Sequence, residues 1–209
     1  MFDFLLNNRV EIVTLSLEHL WLVSAAMALA VGIGMPLGVL LTRVPGLRRA
    51  VLGSANVMQT IPSLALFGFL LPLPWLGARA DRLAITALTL YALLPIIRNT
   101  YTGIMGVDRA VRETARGMGM TDGQVLWQVE LPLALGVILA GVRVAAVICV
   151  GVATIAAAIG AGGLGEFIFR GVASVNNQLI LAGAVPAAAL ALLADQGLGL
   201  LERRLRPAA

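Results

Sequence analysis

Ionisable side chains crowd into one short stretch of this chain. Asp108, Arg109, Arg112, Glu113, Arg116, Asp122 and Glu130 all fall between residues 102 and 132. Carboxylates and guanidiniums at that density can pair with one another or present a docking surface, but they supply no nucleophile. Asp108–Arg112 and Arg109–Glu113 stand four residues apart, the spacing at which opposite charges meet on a helix. Elsewhere Gln59, Thr60 and Ser63 place hydrogen-bonding groups in an apolar stretch, and Arg143 stands alone in another. Gly160, Gly162 and Gly165 spell the letters of a dinucleotide fingerprint. That motif works only between a strand and a helix, whereas here it follows a long apolar run, so we read it as a sharp turn.

Much chemistry is excluded outright. All 15 basic residues are Arg and none is Lys, which removes a Walker A phosphate clamp and a Schiff base. A lone His19 and a lone Cys149 leave no His/Cys zinc site and no internal disulfide. His19 stands beside Trp21, where an interfacial anchor belongs, and Cys149 reads as a small buried residue. An ion-coupled carrier places carboxylates or His at bilayer depth as relays. The first four apolar runs hold no Asp or Glu, and Asp195 falls near the end of the fifth. An intramembrane enzyme needs a nucleophile–base pair, and His19 and Cys149 lie on different runs.

The elements that position these residues are apolar helices. Hydrophobic residues make up 59% of the chain and charged residues 12%, against about 25% charged in a soluble domain. A membrane-crossing helix needs about 20 apolar residues. The runs predict five spans near 20–41, 51–71, 83–101, 133–159 and 178–200, forming a single transmembrane domain over residues 1–209. Asp3 stands where a basic leader would begin, so no cleavable signal peptide is expected.

The arginines set the orientation. Arg43, Arg48 and Arg49, then Arg109, Arg112 and Arg116, then Arg203, Arg204 and Arg206 fall on one side. Arg9, Arg79, Arg82 and Arg170 fall on the other, diluted by Asp3, Glu11, Glu18, Asp81 and Glu166. We therefore expect the N-terminus outside and the C-terminus in the cytoplasm. The net charge of +4 follows from this asymmetry and calls for no nucleic-acid partner.

On this topology residues 102–131 form a cytoplasmic loop. The charge pairs predict a short helix, Gly117 and Gly119 a tight turn, and Thr121 with Gln124 a capping box that starts a second helix. Leu131-Pro132 ends that helix, and Pro132 suits the first turn of the next span. An ordered loop of this length is uncommon unless it is functional.

Glu113-Thr114-Ala115, three residues, Gly119, nine residues, Val129, one residue and Leu131-Pro132 resemble the EAA signature of ATP-binding-cassette importer permeases. The one departure is Thr114 in place of Ala. The resemblance implies an all-α type I importer permease fold, with about five transmembrane helices and a cytoplasmic coupling helix. It implies a non-catalytic, multi-pass subunit of the bacterial plasma (inner) membrane. Glu113, Ala115, Gly117, Gly119, Leu131 and Pro132 would couple it to ABC ATPase subunits. It carries no cofactor itself, since the ATPase binds ATP-Mg. Its other partners would be a second permease copy or paralogue, an extracytoplasmic solute-binding protein and membrane lipid.

Asn56-Val57-Met58-Gln59-Thr60-Ile61-Pro62-Ser63 and Ile159-Gly160-Ala161-Gly162-Gly163-Leu164-Gly165 narrow the resemblance. They resemble permeases of osmoprotectant importers, which carry glycine betaine, carnitine or choline; methionine-type permeases are the alternative. The candidate pathway residues are Gln59, Thr60, Ser63 and Arg143, and for the first three interhelical hydrogen bonding is the competing role. Arg143 lies roughly 16 Å along a helix from Pro132, too deep for an end-of-helix Arg, so it must face the bundle interior or water. Either it hydrogen-bonds carbonyls freed by Pro62 or Pro95, or it lines the path and meets a carboxylate.

Overall fold

The computed structural model describes residues 8–205; Asp3 and Arg206, counted in the charge asymmetry, lie outside them. All regular structure among the described residues is helical. Four helices are long and apolar enough to cross a membrane: α1 (Arg9–Arg43), α5 (Ala80–Met105), the run Asp122–Ile159 that contains α8 (Leu131–Ala156), and α10 (Asn177–Leu205). The bent pair α2 (Pro45–Thr60) and α3 (Ser63–Leu70) makes a fifth if it crosses as one broken span. A four-residue α4 (Pro74–Gly77) leads from α3 into α5.

Small residues bring the backbones together. In a bilayer, helix association relies on close packing rather than on release of water. Along α1, Ala26, Ala30, Gly34 and Gly38 are buried at four-residue intervals, so they form one face. A Cβ on Gly38 would stand 2.5 Å from Thr100 Cβ and 2.9 Å from the Ile97 carbonyl oxygen. On a second face of α5, α8 presents Gly141, Ala145, Cys149 and Ala153, also buried. There a Cβ on Gly141 would meet the Pro95 carbonyl oxygen at 2.8 Å. Helix α5 is thus gripped from two sides, and its buried residues include Leu83, Leu88, Ile96 and Ile104. Cys149 is buried, as read from sequence, with its thiol 3.5 Å from the Leu88 carbonyl.

Three expectations need correction. The predicted span over 51–71 is not one helix: α2 and α3 meet at 104°. The residue before a proline is pushed out of the helical region, and Ile61 takes φ −71, ψ 126 ahead of Pro62. Helix α1 also starts well before residue 20. Its first turns are held by Glu11, paired with Arg170, and by Leu15, which packs with Leu164 and Phe167. Third, His19 is no interfacial anchor. It is 0% exposed, and its Nε2 lies 3.2 Å from the Val150 carbonyl oxygen on α8.

The glycine segment behaves as read. A 3₁₀ turn (Ala157–Ile159) follows α8, and Gly160, Gly162 and Gly163 take φ of +77°, +81° and +81°. Only residues without a Cβ hold that region cheaply. The Gly163 N–H donates to Glu18 at 3.1 Å, tying the turn to α1. Helix α9 (Gly165–Ala173) then folds back against α10.

The packing at the small-residue faces is testable. Overfilling such a contact costs about 1–3 kcal/mol, so Gly38→Ala and Gly141→Ala should each lower the thermal unfolding midpoint of the detergent-purified protein. Gly32, with nothing within 4 Å of a new Cβ, is the control. Gly32→Ala should leave the midpoint unchanged or raise it by up to about 1 kcal/mol in stability, the helix-propensity gain.

Candidate functional site

The segment between α5 and α8 is an ordered helix–turn–helix. Asp108 caps α6 (Arg109–Gly117) by accepting from the Ala110 N–H at 2.8 Å. Arg109 pairs with Glu113 at 2.6 Å, as the spacing predicts. The predicted Asp108–Arg112 pair does not form, because the cap occupies Asp108. Arg112 turns back instead and donates to the Met105 and Val107 carbonyls at 3.2 and 2.6 Å.

Helix α6 ends in a Schellman motif: Gly119 N–H reaches the Arg116 carbonyl and Met120 N–H reaches that of Ala115. This cap needs a left-handed residue, and Gly119 supplies it at φ +88°. Of the two glycines expected to make the turn, only Gly119 does; Gly117 closes the helix itself. The Thr121–Gln124 capping box is complete and starts α7 (Asp122–Val125).

Leu131-Pro132 does not end this second helix. Helix α7 runs through a π-turn (Leu126–Glu130) straight into α8. Leu131 N–H reaches back to the Leu126 carbonyl, and Pro132 has no N–H to place. A π-turn widens the helix by one residue, which lets the helix pass the ring without a break. Leu131 packs beside Ile104, Val107 and Ile138.

The candidate coupling residues divide by exposure. Glu113 and Gly119 are on the surface, while Ala115 is buried and packs the loop's interior. Met118, between Gly117 and Gly119, is exposed, and Trp127 is exposed beside Val31, Met35 and Leu40 of α1.

Glu130 was not among the predicted coupling residues, yet it locks the loop to the bundle. It is 1% exposed. One carboxylate oxygen takes Arg43, at the end of α1, at 2.5 Å; the other stands 3.8 Å from Arg112 of α6. A carboxylate buried this deeply persists only when paired. One acid among Val129, Leu131 and Pro132, with arginine-rich segments on both sides, was the available signal.

The pathway candidates do not form one cluster. Gln59, Thr60 and Ser63 gather at the α2–α3 corner. Gln59 donates to the Tyr91 carbonyl at 2.8 Å, Tyr91 OH donates to the Ile61 carbonyl, and Thr60 bonds back to Val57 at 2.7 Å. Arg143 lies apart, on α8. It bonds no carbonyl freed by proline, but forks onto Asp195 of α10, with Glu202 at 3.9 Å. Among the described residues no group of three or more His, Cys, Asp or Glu can hold a metal ion.

The family of binding-protein-dependent transport system inner membrane components matches residues 20–207. This chain belongs to that family. The permease is 44% identical over 206 residues to the carnitine transport permease protein OpuCB of Listeria monocytogenes, covering 99% of this chain and 93% of that one. It is 45% identical to the osmoprotectant import permease protein OsmW of Salmonella typhimurium, covering 98% and 96%. Among solved structures it resembles the inward-facing MetNI methionine ABC transporter, with TM-score 0.80 and 25% identity over 91% of this chain and 94% of that one.

The Glu130 clamp makes a prediction with an asymmetry. Removing one partner of a buried pair costs roughly 3–5 kcal/mol. Because Arg43 is about a third exposed, Arg43→Ala should destabilise the permease by the lower end of that range, read as a fall in the detergent unfolding midpoint. Glu130→Gln removes the buried charge and should cost less. Equal midpoints for both variants and the unmodified permease would show that the clamp carries no weight.

Proposed function

We propose that this permease is the membrane-spanning subunit of an ATP-driven importer of osmoprotectants such as glycine betaine, carnitine or choline. The observation that carries the reading is identity of 42–45% over nearly the whole chain to permeases bearing those substrates in their names. The methionine reading has only the 25% identity to MetNI behind it.

The division of labour follows from what the chain lacks and what it holds ready. Without a lysine it has no Walker A clamp, so ATP-Mg belongs to a separate ATPase. In this reading the ATPase docks on the face formed by Glu113, Gly119, Met118 and the neighbouring surface. Ala115, Gly117, Leu131 and Pro132 keep that face in shape. A second permease copy or paralogue completes the enclosure, and a solute-binding protein delivers from outside. Gln59, Thr60 and Ser63, at the bend between α2 and α3, line the path.

Uptake is the decisive measurement. Cells that express the permease with its cognate ATPase and binding protein should accumulate labelled glycine betaine or carnitine. Accumulation should stop when ATP is depleted with the ion gradient kept. Uptake of methionine but not of betaine-type compounds would move the permease to the methionine class.

Orientation is tested separately, in a Cys149→Ala background. Gly46→Cys, in the arginine-rich 42–50 segment, should react with an impermeant thiol reagent only after the cells are opened. Ser174→Cys, beyond the glycine turn, should react from outside. The reverse pattern would invert the topology and detach the coupling loop from the cytoplasm.

A further inference from the structure

Arg143 sits within the apolar run of α8, against the C-terminal third of α10. It is roughly 18 Å along α8 from Leu131 and roughly 20 Å from Ala156 at 1.5 Å per residue, against about 30 Å of hydrocarbon. Its Nε and Nη2 both donate to the Asp195 carboxylate, a planar fork that fits a guanidinium. Its Nη1 points toward Glu202, 3.9 Å away. Asp195, Gly199 and Glu202 fall on one face of α10, and Gly199 leaves room for the guanidinium, since a Cβ there would stand 3.3 Å from Nη1.

This pair is not sealed inside the subunit. Arg143 is 39% and Asp195 35% exposed, and both border a cleft of about 220 Å³ with Gln196, Gly199, Leu200 and Arg203. The same two helices border a second groove, shared with α1 and lined by Val23, Met27, Val142 and Leu198. That groove suits acyl chains. A half-exposed guanidinium–carboxylate pair does not, because charges at this depth face water, a cavity or another protein group.

We propose that the Arg143–Asp195 pair faces the water-filled route between the two permeases and receives a zwitterionic solute by exchange. The solute's carboxylate takes the Arg143 fork, and its cationic centre is left to Asp195 and Glu202. Each charge that loses a partner gains another of the same sign, so the solute passes the pair without stranding an ion. A purely cationic solute satisfies only the acidic side. The exchange rests on the osmoprotectant reading above; the water-facing position of the pair does not.

The test uses the complete transporter with its ATPase and binding protein. In a Cys149→Ala background, Gln196→Cys should react with a charged, membrane-impermeant methanethiosulfonate, and millimolar glycine betaine should slow that reaction. Arg143→Gln should cut glycine betaine uptake at least tenfold and choline uptake far less, at equal membrane abundance. Asp195→Asn should cut both. Three results would overturn the proposal: Gln196→Cys refractory to the reagent, Gln196→Cys forming a disulfide with its copy in a second permease, or Arg143→Gln importing betaine normally. If Arg143→Gln does not accumulate in the membrane, the labelling result decides. If the unmodified transporter takes up no betaine while labelling succeeds, the osmoprotectant reading has failed and the water-facing position stands.

Discussion

A polar group at bilayer depth has no water to turn to, and the arrangement of this permease follows from where each such group finds its partner. Backbone groups are satisfied within helices, the only open-ended structure that spans hydrocarbon. Side chains must then be paired one at a time. His19 meets the Val150 carbonyl on α8, Thr89 the Ala26 carbonyl on α1, and Cys149 the Leu88 carbonyl on α5. Such short bonds require backbones that lie close, and the Gly and Ala faces of α1 and α8 provide that. Packing and polar satisfaction are therefore one problem with one solution, in which α5 is held between two small-residue stripes.

The same constraint bears on the bend between α2 and α3. Breaking a helix at Ile61-Pro62 exposes carbonyls that hydrocarbon cannot solvate. Tyr91 answers the break from α5: its hydroxyl donates to Ile61, and its own carbonyl receives Gln59. The corner is thus closed by one residue working at both ends. Of the pathway candidates, Gln59 is committed to this closure and Thr60 bonds back to its own helix. Arg143 follows the rule differently. Its partner is another charge rather than a carbonyl, and the pair remains open to one side.

How much of this was legible in the sequence depends on whether the cause is local. Four of the five apolar runs, the Thr121–Gln124 box, the Arg109–Glu113 pair and the glycine turn rest on neighbours a few residues apart, and these formed. Pro62 was read only as freeing a carbonyl within one span, and the bend was missed, because what closes it is Tyr91, some thirty positions away. Asp108 lost its predicted partner to a purely local competitor, the cap, which the four-residue rule does not weigh. The pairings of Glu130 with Arg43 and of Arg143 with Asp195 join residues 87 and 52 positions apart. No periodicity reports such contacts. His19 was misplaced because a lone imidazole beside a tryptophan carries no information about the carbonyl waiting on another helix.

The loop between α5 and α8 and the glycine turn, at opposite ends of the bundle, are joined by a single helical run. Asp122–Ile159 is 38 residues long, and a helix is stiff along its axis. At the π-turn, Leu126–Glu130, the hydrogen-bond ladder is shifted by one residue. Glu130 closes that turn and carries the pair to Arg43, so the irregular part of the rod is also where it is tied to α1. At the far end, Glu18 of α1 holds the Gly163 amide. A displacement imposed on the loop therefore acts on a stiff helix anchored to the same neighbour at both ends. Rotation of α8 against α1 has to break one tie or carry α1 along.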